Sequence, residues 1–341
     1  MKGIFLVCLA IGLPLLVASE ECNAREFFEF KYKFNKEYDN AFEEHLRCEI
    51  FTKKFNEITK RSKLLAAGQN PYEETIYEFS DLTREEFKKQ YTGLVRSNET
   101  TELFEVRSQL PDSLLKTLPD NWKPMSEELD LRIPEIHIKD QNPCGSCYIF
   151  AATGVFEYYL YQKLRSYQDL SEQMSVDCMR KDTCEGGMPH EVFNYFLRKG
   201  ADYTSVYPYR AREQRCHYLD TNNPKNGVSK SFAKQWHAAP SDEKYLMYLL
   251  ENVGWVAISI SATPIEHYKT GIIPASYCHG EVNHAVILVG YGTDQKTGTP
   301  YWIVRNSWGP EWGENGYFRM ERGADACEIT NDWENGRVFI K

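Results

Sequence analysis

The chain has 341 residues, of which 42% are hydrophobic and 26% charged, and 40 basic against 49 acidic side chains leave a formal net charge of −9. That length can bury a sizeable core and allows more than one domain. The acidic balance argues against nucleic acid as a partner, and composition otherwise describes an ordinary globular protein.

Lys2 precedes an uncharged apolar run over residues 3–17, followed by small Ala18 and Ser19 and then Glu20 and Glu21. This reads as a secretory signal over 1–19, too short and wrongly flanked for a membrane span, and broken by Pro14. No later stretch approaches the roughly 18 apolar residues that a membrane helix needs. The expected mature chain is soluble, in the lysosome or outside the cell, where disulfides persist.

Residues 20–117 form a first unit, with a boundary expected between 111 and 126. Leu46, Ile50, Phe51, Phe55, Ile58 and Leu65 recur at helical spacing among alternating charges, Glu43 and Arg47 make an i, i+4 pair, and Gly68 ends the pattern. The stretch "ETIYEFSDLTREEF" alternates like a strand before a second helix opens near Asp81 or Thr83, with Glu86 as cap partner. Residues 94–125 carry two Leu-Pro steps and the sequon at Asn98, so they read as an exposed, glycosylated linker.

A second unit spans 118–341. "SCYIFAATGVFEYYLYQKL" predicts a helix with Ser146 as N-cap, and further helix is expected around 171–177 and 191–199. After about residue 228 the runs "WVAISI", "HAVILVGYG", "PYWIVRNSW" and "GYFRMER" are short and β-rich, split by Gly, Pro and Asn. A helical half (about 140–227) followed by a strand half (about 228–341) predicts an α+β fold with a cleft between two layers.

Ten cysteines occur in the chain, and the signal removes Cys8. Beyond Cys22 and Cys48, seven follow residue 140, and an odd number leaves one thiol free unless it bonds elsewhere. Cys147 opens the predicted helix, where unpaired amides and the helix dipole favour a thiolate. A thiolate needs a proton acceptor, and His284 heads the apolar strand "NHAVILVGYG". The hairpin joining that strand to "YWIVRN" has its midpoint at 295, so His284 and Asn306 fall opposite one another, give or take a bulge. An amide there can hold the imidazole's tautomer. Cys144-x-x-Cys147 could instead clip a metal or form a redox pair, but a zinc site wants a second ligand pair and a redox pair wants a βαβ context.

Taken together, "QNPCGSC", "CEGG", "NHAVILVGYG" and "YWIVRNSWG" resemble the papain-like cysteine peptidases, cathepsin L type. The first unit is similar to that family's inhibitory propeptide: Glu43, Arg47, Phe51 and Ile58 match its long-helix motif, and Phe79 and Asp81 the motif after it. Lys54 and Ser62 stand where Asn is usual, Thr75 and Tyr77 replace Gly and Asn, and Tyr148 follows the nucleophile in place of Trp.

The resemblance implies a helical domain and an antiparallel β-barrel-like domain with a cleft between them, preceded by a mainly helical inhibitory propeptide. It also implies that Cys147 attacks the scissile carbonyl and His284 carries the proton. Asn306 orients His284, Trp308 shields that contact, and Gln141 with the Cys147 N–H holds the oxyanion. Gly186 and Gly187 offer bare backbone to an extended substrate. Met188, Pro189 and Ala285 line the main side-chain pocket, with Asn283 at its rim and Asp332 near its floor, where a carboxylate would admit Arg or Lys. By the same resemblance Cys144 pairs with Cys184, Cys178 with Cys216 and Cys278 with Cys327, leaving Cys147 free.

The expected protein is therefore a secreted or lysosomal thiol endopeptidase, made as a zymogen and activated by acid through groups such as Asp81 and Glu43. It works as a monomer without metal or cofactor. Its partners are protein and peptide substrates, its own propeptide and cystatin-type inhibitors. The competing expectation is a catalytically silent relative that binds peptides in the same cleft.

Overall fold

The computed structural model describes residues 22–68, 70–95, 118, 121–180, 182–331 and 337–341. The signal stretch, Asn98, most of the expected linker and Asp332 lie outside the described residues.

The N-terminal unit is built on two helices. α1 (Ala24–Phe34) packs on α2 (Ala41–Ala66), and the Cys22–Cys48 disulfide ties them together. Phe27 and Phe30 of α1 pack at a tilt against Phe51 of α2, at centroid distances of 5.6 and 4.7 Å, in a small aromatic core. Burying each such ring contributes about 2 kcal/mol relative to exposure. Asn40 caps α2 by accepting the Phe42 and Glu43 amides. The helical face expected on α2 is only partly the buried one: Phe51 and Ile58 are inside, whereas Leu46 is exposed.

The strand expected in "ETIYEFSD" is displaced. β1 covers Tyr72–Glu74, and the residues after it form turns. The predicted cap is present. Thr83 and Glu86 close a capping box at the start of α3 (Arg84–Tyr91).

The remainder divides into helical and strand layers. α4 (Cys147–Leu164) is buried on all sides for most of its length, which its continuous apolar sequence requires. α5 (Glu172–Cys178) and α6 (Pro189–Lys199) flank it. Ser146 precedes α4, but its hydroxyl meets Cys144 O and Tyr209 instead of capping the helix. Strands β2 (Leu129–Asp130), β5 (Trp236–Ala238), β6 (Val256–Ile260), β7 (Tyr268–Ile273), β8 (His284–Thr293), β9 (Pro300–Arg305), β10 (Tyr317–Glu321) and β11 (Val338–Ile340) join β1 in one sheet. β3 (Ala201–Asp202) pairs with β4 (Gly227–Val228), and α7 (Glu243–Asn252) packs on the strand half.

The helical half, the strand half and the mainly helical N-terminal unit are as expected, and two features define the barrel-like sheet more closely. β10 runs parallel to β7, and the strand path is open, from β1 at one end to β5 at the other. The end strand β1 comes from the N-terminal unit and pairs antiparallel with β7, Tyr72 opposite Gly271. Tyr77 strengthens that docking by donating to Tyr268 O and accepting the Gly313 amide, both at 2.8 Å. Phe79 and Phe87 meet Trp308 edge-on at 5.8 and 5.3 Å.

Candidate active site

Cys147 is the first residue of α4 and the one unbridged cysteine among the described residues. Cys144 is bonded to Cys184, Cys178 to Cys216 and Cys278 to Cys327, so the Cys-x-x-Cys is neither a metal clip nor a redox pair. The Cys147 Sγ accepts the Ala285 amide at 3.3 Å, which sets the sulfur at the start of β8, against the residue that follows His284.

The imidazole's tautomer follows from its neighbours. Asn306 Oδ1 accepts the Ser307 N–H at 2.8 Å, so that atom must be the amide oxygen. It lies 2.8 Å from His284 Nε2, which therefore donates. The other ring nitrogen, Nδ1, is left as an acceptor with no hydrogen-bond partner among the described residues. Trp308 stacks on the ring at 4.8 Å and 25°.

The hairpin register differs from the expected midpoint. Ile287 pairs with Arg305 and Leu288 with Val304, with a bulge before Gly290. Extended three residues, this sets His284 opposite Trp308. The chain leaves β9 after Arg305, and the departing backbone returns the Asn306 side chain to the ring.

Burial decides the charge state in this form. Loss of solvent pushes the Cys147 thiol up to about 12, against the pull of the Ala285, Tyr148 and Cys147 amides. Burial likewise pulls His284 down to about 4, although the Asn306 bond favours the charged ring. The thiolate expected from the helix terminus is thus not the state of the covered site: desolvation outweighs the dipole.

The cover is the N-terminal unit itself. The Gln141 amide donates to Thr92 O at 3.3 Å and to Cys144 O at 3.0 Å, while its oxygen accepts the Ser307 hydroxyl at 2.7 Å. Trp308 Nε1 donates to Tyr91 O at 2.7 Å. Gly187 N donates to Gly93 O at 2.9 Å, and Val95 N returns a bond to Gly187 O at 3.3 Å. Asn283 contributes its backbone carbonyl, which accepts the Gly93 and Leu94 amides, while its side chain turns inward to the Ala262 amide.

Leu94 is buried in the same cluster as Met188, Ala285, Cys147 and Tyr148, with Pro189 buried at the first turn of α6. The linker expected to begin at 94 therefore begins later, because 93–95 occupy the cleft. Gly93 has a φ of +133°, and a Cβ there would lie 2.0 Å from Gly145 O, so only glycine passes.

The shelf opposite is held from below. The Cys144–Cys184 bridge ties it to the start of α4, and Gly145 N donates to Cys184 O at 2.9 Å. Tyr148 fills the place of a tryptophan and donates its hydroxyl to Thr183 O at 3.1 Å. A Cβ on Gly187 would meet Tyr148, Arg180 and Glu191 within 2.7 Å, so the backbone there lies flat on side chains. Gly186, with a φ of +114°, takes a turn that glycine favours. Ser307, Thr92 and Leu94 carried no sequence signal: Thr92 and Ser307 reach Gln141 across 49 and 166 residues of chain, and Leu94 is buried among residues of the second unit.

Under the cleft, Lys139 holds Glu157 at 2.8 Å, Glu172 at 2.9 Å and Asp169 at 3.0 Å. This cluster also joins the start of the second unit to α4 and α5.

Comparison with known proteins agrees with this geometry. Residues 125–335 match the papain family cysteine proteases, and residues 27–87 match the cathepsin propeptide inhibitor domain. A cathepsin L-like peptidase of Aedes aegypti is 33% identical, over 95% of this chain and 96% of that protein. A viral cathepsin of Orgyia pseudotsugata multicapsid polyhedrosis virus is 34% identical, over 97% and 98%. The digestive procathepsin L2 proteinase from Tenebrio molitor larval midgut superposes with a TM-score of 0.77 at 27% identity, covering 93% of this chain and 99% of that one. The chain belongs to the papain family of cysteine proteases and carries that family's inhibitory propeptide in front of its peptidase domain.

Proposed function

We propose that this protease is a secreted or lysosomal endopeptidase zymogen in which residues 20 to about 117 are the propeptide and Cys147, His284 and Asn306 are the catalytic residues. The observation that carries the reading is the unbridged Cys147 sulfur on the amide of Ala285, the residue after His284, whose ring is held by Asn306 and keeps an unpartnered acceptor nitrogen. Once the propeptide leaves, water returns to the cleft and the desolvation that holds both groups neutral is relieved. Cys147 then attacks the substrate carbonyl as a thiolate while His284 holds the proton, and His284 later delivers it to the leaving amine. The Gln141 amide and the Cys147 backbone N–H stabilise the oxyanion. In the zymogen the Gln141 amide is engaged by the Thr92 carbonyl.

Substrate lies extended on Gly187 and the Asn283 carbonyl, with a side chain in the Met188, Pro189 and Ala285 pocket that Leu94 now fills. Activation follows acidification, and the mature enzyme acts as a monomer open to cystatin-type inhibitors. The test is acid incubation with N-terminal sequencing of the product, followed by labelling with a thiol-directed epoxide. Labelling that appears only after processing and disappears in Cys147→Ser supports the reading. Equal labelling of Cys147→Ser would refute it.

A further inference from the structure

Asp140 precedes the oxyanion residue Gln141, and none of the roles above uses it. Its Oδ1 accepts the Asn142 amide at 2.8 Å, the one hydrogen bond to this carboxylate among the described residues. Its Oδ2 lies over Gly309, 3.1 Å from where a Cβ would stand, and its backbone bridges to Trp308. Lys139 next to it turns the other way, into Glu157 and Glu172. Among the described residues, therefore, no cation pairs with Asp140.

The groups facing it are acidic or neutral. Glu78 of the propeptide adds to the burial that lifts Asp140 to about 6. Tyr91, which donates to Glu78 at 3.2 Å, and Tyr209 of the peptidase are its other titratable neighbours.

The propeptide strap shows which side of the scissile bond this wall serves. Its Tyr91 carbonyl rests on Trp308, Thr92 lies at Gln141, and Gly93 to Val95 lie on the Gly187 shelf. The strap thus crosses the nucleophile from the Asp140 side to the shelf side. A substrate whose acyl portion takes the shelf sends its leaving portion along Trp308 and Asp140. When the propeptide departs it removes Glu78 and Tyr91, and the carboxylate faces that leaving portion with the Asn142 amide as its one hydrogen-bond donor among the described residues.

We propose that Asp140 is a specificity-determining residue that favours a cationic side chain, and disfavours an acidic one, just beyond the scissile bond. This rests on the peptidase reading above. A carboxylate on a solvated wall attracts Lys and repels Glu by modest amounts that add in the ratio, so a Lys-to-Glu preference of about fivefold is expected.

The test uses the acid-matured full-length protein and three internally quenched peptides, identical except for Lys, Ala or Glu immediately after the cleaved bond. Rates are measured above the carboxylate titration range and normalised to epoxide-titrated sites. Wild type should rank Lys over Ala over Glu, Asp140→Asn should bring the Lys-to-Glu ratio close to one, and Asp140→Lys should invert it. Equal ratios in wild type and both variants would overturn the proposal while leaving the peptidase reading intact. Failure of titrated wild-type enzyme to cleave any of the three would overturn both.

Discussion

Arg47 of α2 donates two hydrogen bonds to the Glu86 carboxylate of α3, at 2.6 and 2.8 Å. The same carboxylate accepts the Thr83 amide at 2.8 Å, so one side chain closes both a capping box and an interhelix fork. The Arg47 bond holds Glu86 down at about 2, against burial. A depressed carboxyl contributes its stability above its unfolded value and loses it as pH falls toward the folded one. This fork therefore weakens only between about pH 4.5 and about 2. Glu86 is a third exposed, which limits its worth to about 1 kcal/mol. Arg47→Met is expected to lower the melting temperature of the zymogen slightly and to speed its maturation at pH 5. An unchanged maturation rate would refute the fork's part in holding the propeptide together.

A second ion pair crosses the interface. Lys54, standing where the propeptide family usually has Asn, pairs with Glu266 of the peptidase, which is buried and also lies 3.4 Å from His267. Removing one partner leaves a buried charge short of compensation. Lys54→Met should weaken the propeptide's hold and shorten the lag of acid processing several-fold, read as zymogen remaining over time on a gel. Identical time courses would show that the pair contributes nothing to latency.

Lys139 compensates two carboxylates that solvent scarcely reaches, Glu157 and Glu172. Burial raises Glu172 to about 7 even with Lys139 beside it. A carboxyl raised in the folded state makes stability fall as pH rises from its unfolded value to its folded one, here from about 4.5 to about 7. Glu172→Gln should flatten that part of a melting-temperature profile. Lys139→Met should destabilise by about 3–5 kcal/mol, because it strands both acids. A Lys139→Met protein that melts with wild type would remove the cluster from the stability argument.

Gly93 tests the latch at its tightest point. An alanine there would strike the Gly145 carbonyl and would need a backbone angle that side chains rarely adopt. Gly93→Ala should lift the strap, let water reach Cys147 and raise its epoxide labelling in the unprocessed zymogen at least tenfold. Unaltered labelling would mean that the strap is not what keeps the thiol inert.

Much of the site was legible because its parts carry local signals. The odd cysteine count pointed to one free thiol, helical spacing put Cys147 at a helix start, and a β-rich run put His284 at a strand start. Other parts had no such signal. α1 reads as a charged aromatic stretch, and its helix is supported by Phe27 and Phe30 against Phe51 and by the Cys22–Cys48 bridge. The parallel pairing of β10 with β7 and the addition of β1 to the sheet join segments from distant parts of the chain.

The amino-acid sequence alone determined which atoms are available: one unpaired sulfur, an imidazole, an amide, and glycines where backbone must pass closely. These follow from residue type and spacing, which fold with short-range rules. The tertiary structure decided what those atoms are doing in the zymogen. By closing Tyr91 to Val95 over the cleft it dries the thiol and the ring, and loss of hydration outweighs both the amides that favour a thiolate and the Asn306 bond that favours a charged ring. Solvation is a property of everything packed around a group, so no local stretch of residues can reveal it.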